Sequence, residues 1–421
     1  MNGSSSSLRD CSSPEYAALE WLSQDSRLPS FDLTNGLILE DPRVRNETYM
    51  ELMAMDDRRD FGWSEEELLE RYALAIFYFA SDGPNWVRTD NWLSERHICH
   101  WHSDANRGAC DRNKFKRLVF FENKVSGRIP RELALLSTHL EEVSLQGSAT
   151  HRLSGTLPVE LGLLSNLYEF RLNGNDITGP IPRSYSRLTE LEVFDVSVNN
   201  LSGSMEFLEG GMYGLVVLNV AQNLIGGTIP DALSKSTNLE ALFIQNNRLE
   251  GALPKTISSL GRLKLLKAAQ NKLTEIPMEI GGLRSLRYLD LSENMVAGPL
   301  SNELVSLRKL EHLSLAGNQM SGFLPKEISW MNKLESLDLS NNEFSGTIPS
   351  EFGDLGKKLT RLNLSGNRLE GMVPEELGWL DKLESLSLRK SPFVAAVTRD
   401  EESPSQHHLK LTLTLRQIQT T

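Results

Sequence analysis

A stretch of fifteen residues, HICHWHSDANRGACD at positions 97–111, concentrates the side chains of this sequence that could do chemistry. It holds three histidines and two of the chain's three cysteines, beside one tryptophan and two aspartates. Such a set could bind a metal ion, form a catalytic cysteine and histidine pair, or join its cysteines in a cross-link.

The spacing favours neither of the first two interpretations. Zinc would use Cys99, His102 and Cys110, with His97 as a further ligand, but a structural zinc site typically needs two closely spaced ligand pairs such as CxxC with HxxxH. A nucleophilic cysteine needs an activating histidine and donors for an oxyanion, and no such motif surrounds either cysteine. We therefore expect no metal ion, no cofactor and no enzymatic activity.

Composition and charge exclude further classes of protein. The 421 residues carry a net charge of -12, and residues 1–70 alone hold 6 basic and 16 acidic side chains, or -10. Because no basic stripe is present, we expect no nucleic-acid partner. The longest apolar run, 72–80, is far shorter than the roughly 20 residues of a membrane span.

A repeating line fills the second part of the sequence. It reads LYEFRLNGNDITGPIP from 167, LEALFIQNNRLEGALP from 239 and LTRLNLSGNRLEGMVP from 359. Leucines that alternate with polar residues predict strands with one buried face. Repeats of mostly 24 residues, about twelve in all, therefore predict an α/β solenoid whose strands form one parallel sheet.

The ninth position of each repeat is almost always asparagine. Its side-chain amide can bond the backbone groups that a turn leaves unpaired, so the column predicts a ladder of hydrogen bonds. The predicted ladder comprises Asn123, Asn175, Asn199, Asn223, Asn247, Asn271, Asn294, Asn318, Asn342 and Asn367.

The pattern NxLSGxIPxxLGxL resembles the plant-type leucine-rich repeat of receptor-like proteins from plants and some algae. The resemblance covers about residues 115 to 391, and it implies a curved leucine-rich-repeat horseshoe whose concave strands bind peptides, other receptors or polysaccharide. Many members of the family carry a kinase. This sequence has no glycine-rich phosphate loop and no VAIK, HRD or DFG motif, so we expect no kinase domain.

A repeat array needs a cap over its first coil. Ser64 and Glu67 form a capping box, and an apolar helix follows it as far as the break at 82–84. The tryptophans and cysteines after this helix are similar to the plant-type cap, and that resemblance implies a disulfide between Cys99 and Cys110. The predicted divisions are an acidic, partly helical or disordered segment 1–63, the cap 64–114, the repeats 115–398 and a tail 399–421.

The compartment stays open at this point. A disulfide persists in oxidising compartments, yet the N-terminus shows no signal peptide. Either an upstream signal or anchor is missing, which predicts an extracellular or membrane-associated protein, or the chain is cytoplasmic with reduced thiols. Glycosylation sequons at Asn46, Asn200 and Asn363 fit the first case, and Cys11 has no evident partner.

The sequence predicts a ligand face on the concave strands. The residue before the second leucine of each repeat should point out of that face, and the middle of this column is apolar. Residues 193 to 312 would span roughly 24 Å at the usual strand spacing. Glu141, Glu142, Glu169, Glu192 and Asp195 form an acidic rim that favours basic groups on the partner. The predicted ligand-binding residues are Val193, Val217, Phe243, Leu265, Tyr288 and His312.

These features predict a non-catalytic recognition module that binds a peptide, protein or glycan, as a receptor-like signalling or defence protein. The alternatives are a structural scaffold, or part of a larger membrane receptor.

Overall fold

The computed structural model describes residues 13–23, 65–94, 96–105, 108–355, 358–389 and 393–394. Several sequence features described above lie outside these residues: Cys11, the sequon at Asn46, the capping serine Ser64, and the tail 399–421. Within the described part the chain forms two compact units. The first unit extends to Leu191 and includes Val198–Leu201, while the second consists of Glu192–Ser197 and the residues from Ser202 onward.

Three α-helices occur among the described residues, and two of them belong to the first unit. They are α1 (Pro14–Ser23), α2 (Glu65–Ala80) and α3 (Asn302–Val305). Ala18 of α1 packs against Tyr72, Ala75 and Ile76 of α2. Helix α2 ends where the sequence predicts, just before Asp82 adopts a left-handed conformation with φ 62°. No helix in the described part is both long and apolar enough to cross a membrane.

The strand of each repeat joins one parallel sheet of twelve, which confirms the predicted solenoid. We call it the inner sheet. Its strands are Arg117–Phe120, Glu142–Leu145, Glu169–Arg171, Val193–Asp195, Val217–Asn219, Ala241–Phe243, Leu265–Lys267, Tyr288–Asp290, His312–Ser314, Ser336–Asp338, Arg361–Asn363 and Ser385–Ser387.

A second row of short strands, which the sequence did not predict, follows the ninth position of each repeat. Glycine allows this row to pack closely: a Cβ atom on Gly251, whose φ is +77°, would lie only 3.2 Å from Thr228 Cγ2. The row comprises Gly127–Arg128, Leu153–Thr156, Asp176–Pro180, Asn200–Ser202, Gly226–Gly227, Arg248–Ala252, Lys272–Glu275, Ala297–Gly298, Gln319–Phe323, Glu343–Gly346, Arg368–Leu369, Gly371–Met372 and Phe393–Val394.

The segment that returns to the next inner strand is a 3₁₀ helix in ten repeats and the one-turn helix α3 in another. Nine of the ten 3₁₀ segments begin directly after a proline, which is the last extended residue before the turn. Only a single turn fits before the next leucine, so full α-helices do not form. The 3₁₀ segments are Arg131–Leu136, Val159–Leu163, Arg183–Arg187, Glu206–Leu208, Asp231–Lys235, Lys255–Ser259, Met278–Gly282, Lys326–Trp330, Ser350–Asp354 and Glu375–Trp379.

The core of the second unit consists of the aliphatic positions of the repeat. One coil illustrates it, since each of its inward side chains is at most 2% exposed. Burial of each such side chain contributes about 1.5–3 kcal/mol. In this coil the side chains are Leu242, Ile244, Leu249, Leu253, Ile257, Leu260 and Leu263.

The core of the cap is aromatic instead. Phe77 of α2 lies 5.6 Å from Trp86 and 6.2 Å from Phe120, measured between ring centroids. The ring centroids of Trp92 and Trp101 are 5.0 Å apart. The cap also contains a short antiparallel pair, Cys110–Asp111 with Lys114–Phe115, and two 3₁₀ turns at Gly83–Asn85 and Ile98–His100.

Candidate functional site

The inner sheet has a buried face of leucines and an open face made of the alternate residues. In the second unit the strands pair without any shift of register, so equivalent residues form straight columns. Val193 pairs with Val217, and Tyr288 pairs with His312. The column predicted from the sequence is therefore continuous through the strands between them, where Ala241 pairs with Leu265.

A second column lies two residues further along each strand, on the same face. Phe243 belongs to it and pairs with Lys267. The Lys267 Nζ atom lies 4.8 Å from the centre of the Tyr288 ring and 5.9 Å from the Phe243 ring. The rings of Tyr288 and His312 are 5.3 Å apart. We call Phe243, Lys267, Tyr288 and His312 the aromatic patch.

The aromatic patch combines apolar surface with one cation. A lysine ammonium within about 6 Å of a ring centre is attracted by the negative face of the ring, so Lys267 is held over the two aromatic side chains. Burial, and then the nearby Asp290 carboxylate, raise the pKa of the Tyr288 hydroxyl. Tyr288 is therefore a neutral hydrogen-bond donor at physiological pH, and the patch offers rings, a hydroxyl and a positive charge together.

The predicted ligand residues are half-buried rather than fully exposed. Val193, Val217, Phe243, Leu265, Tyr288 and His312 are all of intermediate exposure, and Ala241 between them is buried. Neighbouring strands lie about 4.8 Å apart, so each side chain covers part of the next. The sequence pattern gives the column but overestimates the apolar area that it exposes.

The most exposed large apolar side chains of the second unit lie elsewhere, and they were not predicted from the sequence. Phe323 is 74% exposed at the end of a second-row strand. Trp379 and Trp330 are 64% and 51% exposed at the ends of 3₁₀ segments. The sequence does contain a signal for the two tryptophans, because the equivalent positions of most other repeats carry small or polar residues such as Ser259.

Other open-face positions of the second unit are occupied by short polar side chains that accept hydrogen bonds from the residues just after their own strand. The Asp338 carboxylate accepts hydrogen bonds from the Ser340 hydroxyl at 2.6 Å and its backbone N–H at 2.9 Å. Asp290 accepts the same pair from Ser292. These carboxylates stabilise the turn that follows the strand, and they flank the aromatic patch with negative charge.

The first unit has a different open face. Its inner strands border an open depression of about 420 Å³. Glu169 accepts a hydrogen bond from Arg171, and Lys116 donates one to Glu141. The predicted acidic rim is thus partly neutralised within this unit. The depression is lined by Phe121, Glu142, Ser144, Gln146, Tyr168, Glu169 and Arg171.

The cysteine and histidine tract of the cap forms a cross-link. Cys99 and Cys110 are joined by a disulfide, so neither sulfur is available as a nucleophile or a zinc ligand. His102 Nε2 lies 3.2 Å from Asp104 Oδ1, and His97 Nδ1 accepts a hydrogen bond from the Cys99 N–H. These histidines therefore have structural partners within the cap.

Each ladder asparagine uses its side chain to bond backbone groups of its own coil and of the preceding coil. The Asn247 side-chain amide donates to the Val220 carbonyl at 2.9 Å and to the Ile244 carbonyl at 3.3 Å, and its oxygen accepts from the Ile225 N–H at 3.0 Å. The same three bonds recur at Asn175, Asn271, Asn294, Asn318, Asn342 and Asn367.

The first ladder residue has a special role. Asn123 donates to the Arg88 carbonyl and accepts from the Arg88 N–H, and so it ties the loop of the cap to the first repeat. The two sequons within the described residues differ in accessibility. Asn200 is exposed, whereas the Asn363 side chain donates to Asp338 on the open face.

Comparisons with known proteins agree with this geometry. A family model described as a leucine-rich repeat region matches residues 231–419. No curated protein sequence gives a significant match. The crystal structure of PEPR1-AtPEP1 shares 27% identity with this chain, with a TM-score of 0.65, and the match covers 77% of this chain and 48% of that one.

Two further structures carry the same fold. The plant peptide hormone receptor RGFR1 in complex with RGF2 is 28% identical, with a TM-score of 0.55 over 72% of this chain and 55% of the other. The Arabidopsis receptor kinase HAESA, in complex with the peptide hormone IDA and the co-receptor SERK1, is 24% identical, with a TM-score of 0.61 over 79% and 58%. This chain spans about half the length of these receptor chains.

The family match, the twelve inner strands and the plant structures lead to one conclusion. The chain is a leucine-rich repeat protein that resembles the ectodomains of plant receptors.

Proposed function

We propose that this protein is a non-catalytic recognition module that binds a peptide segment on the open face of the inner sheet in its second unit. The observation that carries the proposal is the aromatic patch, where the Lys267 ammonium lies within 6 Å of both the Phe243 and the Tyr288 ring on that face. Aromatic side chains are the most frequent energetic anchors of protein interfaces. Their half-buried rings are held in place before a partner arrives, which lowers the entropic cost of binding.

The patch and its surroundings indicate the chemistry of the partner. Lys267 can pair with an acidic side chain or a terminal carboxylate of the peptide, and the rings on either side can pack against apolar side chains. Val193 and Val217 continue the apolar surface along the column. We propose an extended peptide with apolar residues and one carboxylate, rather than a strongly basic one.

The comparisons support a peptide over a glycan. RGFR1, a plant peptide hormone receptor whose structure is in complex with RGF2, shares 28% identity with this chain. The disulfide of the cap supports an oxidising compartment. We therefore propose an extracellular or membrane-associated location. A receptor-like signalling or defence role follows from the same similarity.

Selection from a random peptide library tests the proposal. Peptides selected on the whole protein should bind it, and the double variant Phe243→Ala with Tyr288→Ala should weaken that binding by at least about tenfold, as expected for two anchor residues of roughly 1 kcal/mol or more each. The matched control is Trp330→Ala with Trp379→Ala, which removes two aromatic side chains that are more exposed than Phe243 and Tyr288, from the 3₁₀ segments. Affinity lost in the control and retained in the first variant would overturn the proposal.

A scaffold role predicts a different result. A scaffold that uses the surface of the 3₁₀ segments would select peptides whose binding depends on Trp330 and Trp379, the exposed tryptophans. The same pair of variants therefore distinguishes a recognition face on the inner sheet from an assembly surface.

A further inference from the structure

Three side chains with metal-binding atoms converge in the cap, away from the disulfide tract. Glu66 and Glu70 are four residues apart on α2, so they project from one face of the helix. His139 comes from the turn after the 3₁₀ segment Arg131–Leu136 of the first repeat. One donor atom from each of the three lies within 4.8 Å of the others.

The distances suit one small ion. His139 Nδ1 is 3.1 Å from Glu66 Oε1 and 3.7 Å from Glu70 Oε1. Donor atoms bound to one tetrahedral zinc ion lie roughly 3.3 Å apart. Small movements of the side chains would therefore bring all three atoms to bonding distance around a shared centre.

The most informative of the three is Glu70. It is only 4% exposed, and its Oε1 atom has no hydrogen-bond partner in the described part of the chain although it points toward His139. A buried carboxylate oxygen without a hydrogen bond costs about 1–3 kcal/mol or more. A cation in this position would satisfy that oxygen directly.

We propose that Glu66, Glu70 and His139 form a binding site for a divalent transition-metal ion of the zinc class. One imidazole nitrogen with two carboxylate oxygens is a donor set suited to such an ion, whereas calcium and magnesium prefer oxygen alone. The ion would connect α2 of the cap to the first repeat. The fourth position would be open to water, because Glu66 and His139 are partly exposed.

The neighbouring groups fit a bound cation. Lys114 donates to Glu66 Oε2, which leaves Oε1 of the same carboxylate toward the cluster. The Thr138 hydroxyl lies 2.7 Å from His139 Nδ1 and 3.3 Å from Glu66 Oε1, and it would have to rotate away when the ion binds. Glu67, between the two ligands on α2, lies 3.6 Å from His97 instead.

Metal titration of the full chain tests this site. The protein carries no polyhistidine tag, keeps its disulfide, and is freed of metal with a chelator before Zn²⁺ is added by calorimetry and Co²⁺ by visible absorption. We expect one ion per chain and a Co²⁺ spectrum typical of mixed nitrogen and oxygen ligands. Glu70→Gln and His139→Gln should each weaken Zn²⁺ binding by at least about tenfold, since each loses a direct ligand.

The matched control is His151→Gln. His151 also follows a threonine whose hydroxyl lies 2.8 Å from its Nδ1, but among the described residues it belongs to no group of metal-binding side chains. This variant should bind Zn²⁺ like the unchanged protein. Unfolding curves without metal verify that each variant folds. Absence of saturable binding, binding retained by both ligand variants, or a preference for Ca²⁺ over Zn²⁺ would overturn the proposal.

Discussion

The cap of the first unit and the coils of the second bury their side chains by different means. The cap relies on single contacts: Arg71 is fully buried, its charge lies 5.2 Å from the Trp101 ring, and a disulfide closes the loop beside it. The coils rely on one set of leucines and one asparagine that recur with every repeat. A contact in the cap has no equivalent elsewhere, whereas each coil duplicates its neighbour.

This difference predicts where substitutions should reduce the stability of the fold most. Removal of a unique contact in the cap should affect the whole unit, because no neighbouring contact replaces it. Removal of a ladder contact should cost the same wherever it is made, because stability in a repeat array is close to a sum of similar local terms.

The largest effect is expected from Trp101→Ala. Trp101 is 2% exposed and contacts Trp92 and Trp21 with ring centroids 5.0 and 5.9 Å away. Loss of a buried tryptophan costs about 3–5 kcal/mol. Urea denaturation should show this loss, whereas Trp379→Ala, which removes an exposed tryptophan from a coil, should change the midpoint little. Equal effects of the two variants would contradict the contrast between cap and coil.

The next effect concerns the disulfide. Replacement of Cys99 and Cys110 by serine removes a cross-link between residues 11 positions apart, and loop-closure entropy then predicts a loss of about 3 kcal/mol. Thermal unfolding measures it, with Cys11→Ser as the control for loss of a cysteine alone. The midpoint of the unchanged protein should fall with a reducing agent, while that of the double variant should not respond.

A smaller effect is expected in the ladder. Asn247→Ala leaves the Ile225 N–H without its side-chain acceptor and removes one of the two asparagine donors of the Val220 carbonyl, at a cost of about 1–3 kcal/mol. Asn318→Ala should cost the same amount, since Asn318 makes the equivalent bonds. The control is Asn238→Ala, which removes two exposed bonds: the one that Asn238 donates to the Tyr213 carbonyl at 3.4 Å and the one that it accepts from Arg262 at 2.8 Å. Clearly unequal values for the two ladder variants in urea would argue against independent, repeated contacts.

The last effect depends on pH and concerns a single carboxyl group. Burial raises the pKa of the Glu70 carboxyl from 4.5 to about 7, opposed by Lys114 and assisted by Glu66 and Glu67, while His139 faces it from the first repeat. Because the folded-state pKa is the higher one, the protonated carboxyl stabilises the fold below pH 4.5. This contribution is lost as the pH rises through about 7.

With a chelator present, the free energy of unfolding should therefore decline between these pH values by on the order of 1 kcal/mol for each pKa unit of the shift at most. Glu70→Gln should remove this decline, because glutamine does not titrate. Glu65→Gln, five residues earlier on the same helix, is the control. A decline of unchanged size in Glu70→Gln would assign the effect to another group.

The sequence predicts the coils well because their contacts repeat. Val217 pairs with Ala241 and Leu265 with Tyr288, and the repeat spacing alone gives these pairs, because each residue meets its equivalent in the next coil. The second row of strands and the 3₁₀ turns were not predicted in detail, since short extended segments and single turns leave no distinct hydrophobic period.

The contacts of the cap and the side-chain geometry of the site could be predicted less well from the sequence. No periodic rule brings Glu70 to His139, because their contact depends on how α2 packs against the first repeat. The position of Lys267 over the ring of Tyr288 depends on side-chain conformations that spacing does not encode. The resemblance to plant-type caps did predict the Cys99 and Cys110 pair, which the structure contains.

The central claim is that recognition belongs to the open face of the inner sheet in the second unit. Photo-crosslinking tests it most directly: a photoreactive phenylalanine analogue replaces Val217 on that face in one variant and the exposed Met278 of a 3₁₀ segment in another, and each is irradiated with a library-selected peptide. The account predicts a covalent adduct from position 217 and none from position 278. An adduct from position 278 alone would contradict it.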